Sequence, residues 1–340
     1  MRIRIVALML LLTAGSAFAQ GWEIQPSATP EPVASARKAK VLRTARAAYT
    51  LPDGSQWITH SVPARREPGA IGVTRFGSDG SARVFLVSDW LPKGTIPRGW
   101  CGQVYGVALL TDGRIAVSGG WNDGRDSHNA IFVLRALADG AYGPDAVFEV
   151  AGVAQIAGGP RNSIVAVTHD VNRRRGDPLL TIFDTRGSIL AFLFDRSSST
   201  TPPEAAQNAM RAHLQWIDAQ TFAVSDSHAQ VVYVFSLQVL DHEVVLIPRQ
   251  VFFVGEDAST ATLPIVGIDA NANGDVLVAR TGVARGRMGT HLTVYRNDAT
   301  IETAVLDRPW NLILRENGQV RGLVMKNDPL LDKAINRRVK

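Results

Sequence analysis

Short β-rich runs meet at Asp-Gly or Asn-Gly turns that recur along the chain. Few segments repeat apolar residues at helical spacing over three turns, and glycines and prolines interrupt those that begin to. These observations predict an all-β protein, a β-propeller of six four-stranded blades.

The clearest hairpin is Gly106 to Ser118, which turns at Asp112-Gly113. Ile265 to Ala279 turns at Asn273-Gly274, and Leu312 to Val324 turns at Asn317-Gly318. Asp-Gly and Asn-Gly accept the positive φ that tight hairpins require. Looser copies centre on Asp53-Gly54, Arg161-Asn162 and Asp218-Ala219. Successive turns are roughly 45 to 60 residues apart, the period of a four-stranded blade. A second hairpin lies between neighbouring turns, as in Ile131–Leu134 with Ala146–Val150 and Leu179–Phe183 with Ile189–Phe194. The last unit, after Trp310, has an inner hairpin and no outer one. The final blade is therefore either incomplete or closed by N-terminal strands, since closing the ring removes exposed edges. A two-sheet sandwich explains the alternation of apolar and polar residues but not the period. Residues 203–211 fit one short loop helix.

The ends of the chain carry the compartment argument. Arg2 and Arg4 precede an apolar run from Ile5 to Leu12, and Ala17-Phe18-Ala19 follows. That order matches a cleavable secretory signal over residues 1–19, with cleavage before Gln20. It implies a periplasmic or secreted protein with no transmembrane segment after signal cleavage. Residues 20–40, with Pro26, Pro30 and Pro32 and the run Arg37 to Lys40, read as a disordered linker. Residues 41–328 form the propeller, and 329–340 a basic C-terminal tail. Cys101 is the single cysteine, so no internal disulfide forms, and its apolar neighbourhood reads as a small buried hydrophobe. The net charge of +5 falls by two once Arg2 and Arg4 leave with the signal. That balance is mild, and with export it argues against a nucleic-acid partner.

Gly106 to Ser118, followed by Asn129 to Gly140, resembles the delta-60 repeat of bacterial exported proteins: strand, Asp-Gly, strand, strand, Asp-Gly. Ile265 to Tyr295 is similar to an NHL-type propeller repeat. Each resemblance covers about one blade, and both imply fold far more than function.

In a propeller the chain enters each blade at its inner strand, so the loops after second and fourth strands gather on one face around the axial channel. On this upper face the sequence places Thr59-His60, Ser118 to Trp121, His169-Asp170, Asp226 with His228, Arg280, and Lys326 to Asp328 at the ends of second strands. Asp89-Trp90 leaves a fourth strand on the same face. Convergent polar groups at a concave mouth are the default site expectation. The competing role for each is capping backbone amides at turns. His169, Asp170, Asp226 and His228 supply two imidazoles and two carboxylates from neighbouring blades, a set suited to holding a divalent metal, calcium or zinc, or to acting as an acid/base pair. The second-to-third strand loops carry Arg65, Arg66, Arg125, Arg173, Arg174, Arg175, Arg285 and Arg287. Arginine forks pair bidentately with carboxylate, sulfate and phosphate, so this face suits an acidic envelope protein or an anionic polysaccharide. The same arginines also serve solubility, partly compensated by Glu67, Asp123, Asp126 and Asp177. Trp90, Trp100 and Trp121 lie in these loops and suit sugar rings or peptides, or plug the channel.

No nucleophile elbow, zinc-protease motif, phosphate loop or dinucleotide fingerprint is present. The first expectation is a non-enzymatic propeller that binds a ligand or protein in the cell envelope. The alternative resembles the gluconolactonase-type propellers, metal-dependent hydrolases or lyases. That resemblance would assign the metal to Asp89, Asp170, Asp226 and Asn327, but the inner-strand glutamate used by that family has no match here.

Overall fold

The computed structural model describes residues 23–24, 41, 44–50, 55–63, 66–138, 140–168, 180–193, 213–217, 220–226, 230–240, 243–254, 263, 265–270, 274–284, 287–296, 299–306, 312–316 and 319–323. Strands pair with their sequence neighbours as antiparallel meanders. Blade I holds β2 (Ala45–Thr50), β3 (Gln56–Ser61), β4 (Ile71–Phe76) and β5 (Ala82–Phe85). Blade II holds β6 (Gln103–Leu109), β7 (Ile115–Asn122), β8 (Ser127–Ala136) and β9 (Tyr142–Glu149). Blade III holds β10 (Val153–Gly158), β11 (Ile164–Thr168), β12 (Leu180–Phe183) and β13 (Ile189–Leu193). Blade IV holds β14 (His213–Trp216), β15 (Thr221–Asp226), β16 (Val231–Leu240) and β17 (Glu243–Phe253). Blade V holds β18 (Ile265–Ala270), β19 (Val276–Ala284), β20 (Arg287–Arg296) and β21 (Ala299–Leu306). The remaining sheet is three-stranded: β22 (Leu312–Glu316) pairs β23 (Gln319–Leu323), and β23 pairs in parallel with β1 (Glu23–Ile24).

The first strands of these sheets form a ring. β2 packs on β6, β6 on β10, β10 on β14, β14 on β18, β18 on β22, and β22 back on β2. That closed circuit of innermost strands defines a β-propeller. The short β1 adds the third strand where the last hairpin alone would leave an edge, and it does so from within the stretch expected to be a linker.

The expected turns form where they can be described. Gly113 takes φ +85°, Leu110 N–H donates to the Arg114 carbonyl, and Asp112 Oδ1 accepts from Arg114 N–H. Arg161 and Asn162 both adopt left-handed backbone, at φ 53° and 61°. Asn162 reaches across to blade II, where its Oδ1 accepts from Thr111 Oγ1 and Asp112 N–H. The Asp53-Gly54, Asp218-Ala219 and Asn317-Gly318 turns, and the 203–211 helix, lie outside the described residues. Glu316 and Gln319, the described residues on either side of the Asn317-Gly318 turn, are paired across β22 and β23.

Burial follows position in the ring. β18 is buried at every residue, and β7 at all but its last, because neighbouring blades cover both faces. The outermost β9 alternates intermediate and exposed residues. Each seam between blades is a separate apolar cluster. Trp57, Phe85, Trp90, Trp121 and Phe132 dominate the seam of blades I and II. Ala108, Ala116, Ile131, Ile156 and Ile164 fill that of blades II and III.

Candidate functional site

Each blade's inner strand starts at the upper face, and its second strand ends there. The cross-strand pairs at that level are Ala45–His60, Gln103–Gly120, Val153–Thr168, His213–Ser225, Ile265–Arg280 and Leu312–Leu323. Polar residues at these positions are deeply enclosed. Arg280 is 4% exposed, His213 8%, His60 7% and Ser225 fully buried.

The pairs of blades IV and V touch. Ser225 Oγ accepts from His213 N–H at 2.9 Å, and His213 Nε2 donates to the Ile265 carbonyl at 3.3 Å. Ile265 is itself the cross-strand partner of Arg280. A carbonyl only accepts, so this contact fixes the proton on Nε2 of His213. Gln155 joins the next blade to the same level, its Oε1 accepting from Leu214 N–H at 2.9 Å. The result is a buried polar arc from blade III to blade V that contains a guanidinium and an imidazole.

On the opposite side of the ring the polar groups tie blades together. Glu67 Oε2 accepts from Cys101 N–H at 2.8 Å and Gly102 N–H at 2.9 Å, joining the β3–β4 loop of blade I to the start of blade II. Burial, then the charges of Glu67 and Asp89, push the Cys101 thiol up to about 11, so it stays protonated and inert at neutral pH. Burial, with a smaller contribution from Glu67, also raises the Tyr105 hydroxyl. A Cβ on Gly120 would lie 2.6 Å from the Tyr105 hydroxyl and 2.8 Å from Asn129 Oδ1, so only glycine admits this approach. His60 is consumed locally. Its Nε2 accepts from Thr74 Oγ1 at 2.7 Å and its Nδ1 donates to the Ser61 carbonyl at 3.0 Å. Burial lowers its pKa and keeps it neutral.

The residues expected to form the site fall into three groups. Asp226 ends the second strand β15, its backbone pairing with Val231, whereas Arg280 lies in the middle of β19, opposite Ile265 at the start of β18, and that strand runs on to Ala284. Asp89 and the tryptophans serve structure instead. Asp89 Oδ2 accepts from Leu86 N–H at 2.8 Å and caps the 3-10 turn Val87–Asp89. Trp90 is 2% exposed and packs on Phe85 and Phe132 at 6.3 and 5.5 Å between ring centroids. Trp121 is 8% exposed and stacks on His128 at 5.1 Å. The indoles of Trp90 and Trp121 thus fill the seam of blades I and II rather than line a mouth. Arg66 and Arg125 belong with the first group, and both are exposed. The third group lies outside the described residues: His169, Asp170, Arg65, Arg173, Arg174, Arg175, His228, Arg285 and Asn327, together with the side chains of Asp226 and Arg287.

Among the described residues no group of three or more His, Cys, Asp or Glu side chains is placed to hold a metal ion. The four candidate ligands His169, Asp170, Asp226 and His228 have no described side chain against which a metal's fit can be judged. Among the described residues no helix is long and apolar enough to cross a membrane.

Sequence reasoning missed His213, Gln155 and the carboxylate tie of Glu67. The first two carry a faint signal: His213 opens the inner strand β14, where polar and apolar residues alternate, and Gln155 is the one polar side chain among the apolar residues of the inner strand β10. Glu67 read only as a counter-charge to Arg65 and Arg66.

The fold and this polar arc define the class, an all-β propeller with an enclosed polar upper mouth. Solved propellers of several kinds resemble it. A calcium-binding protein, regucalcin, from Agrobacterium tumefaciens is 14% identical with a TM-score of 0.44, over 77% of this chain and 76% of that one. A putative 6-phosphogluconolactonase from Bacteroides fragilis is 11% identical with a TM-score of 0.43, over 78% and 72%. A gluconolactonase from Xanthomonas campestris is 13% identical with a TM-score of 0.39, over 81% of each. No family model and no curated protein sequence matches the chain.

Proposed function

We propose that the protein is an exported propeller of the cell envelope that binds an anionic ligand at the upper mouth of its channel. The observation that carries this reading is the enclosed level of His213, Ser225 and Arg280: His213 meets the Ile265 carbonyl where two inner strands approach, and Arg280, at 4% exposure, is the cross-strand partner of Ile265. A guanidinium carries a fixed positive charge, and at low exposure the reduced local dielectric strengthens its attraction for a carboxylate, sulfate or phosphate. The arginines in the upper loops, Arg173 to Arg175 and Arg285 among them, would draw such a ligand in by long-range steering. Export rests on the charged start, the apolar run and Ala17-Phe18-Ala19, and on the likeness of two blades to delta-60 and NHL-type repeats. An acidic envelope polysaccharide is the ligand class that fits both halves of the reading.

The test is calorimetric titration with uronate oligosaccharides at low and high salt. Binding is expected at low salt, weakening steeply as the screening length falls from about 10 Å at 0.1 M to about 3 Å at 1 M. Arg280→Gln is expected to weaken binding at least tenfold. Equal affinity in wild type and variant would overturn the assignment of the mouth. Calcium- or zinc-dependent lactone hydrolysis by the same protein would move it to the metal-dependent hydrolase alternative.

A further inference from the structure

A second titratable cluster sits on the upper rim of blade II, away from the arc just described. His128, on β8, is flanked by a carboxylate at each ring nitrogen. Its Nε2 is 3.2 Å from Asp123 Oδ2 in the β7–β8 loop, and its Nδ1 is 3.1 Å from Glu149 Oε1 at the end of β9. The Trp121 indole lies flat on the imidazole, with 14° between planes, and its other contacts reach Phe132 in the seam. Carboxylate oxygens only accept, so both ring nitrogens must donate, and only the imidazolium has two N–H groups. Because the two carboxylates engage opposite nitrogens, the cluster is a clamp and not a metal site.

We propose that His128 is a pH-responsive clamp that, as an imidazolium, ties the β7–β8 loop to the end of β9 beneath Trp121 and, on losing its proton to solvent, releases them. The charges facing His128 are Asp123 from the loop and Glu149 from β9. Its strand neighbours Ser127 and Asn129 are neutral, and the remaining loop charges, Arg125 and Asp126, are exposed. Asp123 is anchored independently, its Oδ1 accepting from the N–H groups of Arg125 and Asp126. These bonds and the His128 contact hold its carboxyl at about 2, so the anionic half of the clamp is permanent in the physiological range. Asp123 and then Glu149 hold the imidazolium to higher pH than an ordinary histidine. The clamp is therefore closed on the acid side and opens as pH rises through the raised value.

The test uses the full chain. Histidine proton resonances are titrated by NMR in wild type, His128→Gln and Glu149→Gln, the first variant assigning the signal. Amide exchange of residues 122–127 is followed on both sides of the midpoint and corrected for intrinsic base catalysis. The expected result is a His128 midpoint above 6.5 that moves down in Glu149→Gln. Exchange in the loop should quicken above the midpoint in wild type and be fast at every pH in His128→Gln. A wild-type midpoint at or below 6.5, or loop exchange that ignores the protonation of His128, would overturn the clamp. Both substitutions are at partly exposed side chains, and unchanged exchange in β7 and β8 confirms an intact blade.

Discussion

Blade II is packed differently on its two faces. Toward blade I it presents Trp121, Phe132 and Leu134 to Trp57, Phe85 and Trp90, an aromatic wedge in which Trp57 stacks on Phe85 at 5.7 Å and meets Tyr142 edge-on at 5.3 Å. Toward blade III it presents Ala108, Ala116 and Ile131, and the backbones come together. A Cβ on Gly158 would fall onto the Leu109 carbonyl, and one on Gly106 would lie 3.0 Å from Ile156 N. One seam is centred on large rings; the other combines aliphatic side chains and the Phe148–Phe183 pair with small residues that let the inner-strand backbones approach closely. Blades of one ring can thus be spaced by side-chain volume or by its absence, and the two kinds of seam should fail differently.

Four substitutions sharpen that contrast, from the largest effect to the smallest. Trp57→Ala empties the centre of the aromatic wedge and is expected to cost about 3–5 kcal/mol by denaturant unfolding. Gly158→Ala pushes the thin seam apart and is expected to cost about 1–3 kcal/mol, with the damage confined to blades II and III in amide exchange. If Gly158→Ala were neutral, the close approach would not be what holds that seam. Ile131→Val removes one methylene from the thin seam and should cost about 0.5–1.5 kcal/mol. Trp90→Phe should cost about 1 kcal/mol or less, because the buried Trp90 Nε1 has no hydrogen-bond partner among the described residues to lose.

The smallest effect is a pH dependence of opposite sign at two upper-face histidines. His60 is held neutral, with its pKa lowered from 6.5 by burial. The unfolded chain therefore binds the proton more readily, and stability falls as pH drops from 6.5 through the lowered value. His128, whose pKa is raised by Asp123 and Glu149, contributes stability that is complete below 6.5 and lost as pH rises through its folded value. Melting temperatures across pH 5 to 9, buffer by buffer, should lose their acid-side slope in His60→Asn and their alkaline-side slope in His128→Gln. Slopes that persist in both variants would assign the pH response to other groups.

The hairpins were readable because a turn is local. Asp112-Gly113 announces its own positive φ, and Arg161-Asn162 gives two left-handed residues without any glycine. The paired apolar runs on either side then set the register. The seams were not readable, because they depend on which faces of two distant segments meet. Trp90 and Trp121 stand among polar residues in the sequence and so resemble a ligand-binding rim. Those polar neighbours are occupied with capping and clamping: Asp89 on Leu86 N–H, and Asp123 on the loop amides and His128. The upper arc was half legible. The sequence places Arg280 at the end of a second strand that in fact continues to Ala284, while His213 belongs to the start of an inner strand whose neighbour is set only by ring closure. The two-residue β1 gives no periodic signal at all, and only its pairing with β23 reveals it.

The most direct test of a propeller that binds an anion at its mouth is a crystal structure of the protein with a uronate oligosaccharide. The account predicts a closed ring with a carboxylate of the sugar within hydrogen-bond distance of the Arg280 guanidinium, beside His213. Sugar density confined to the outer rim, or a mouth filled by protein side chains with no path to Arg280, would contradict it.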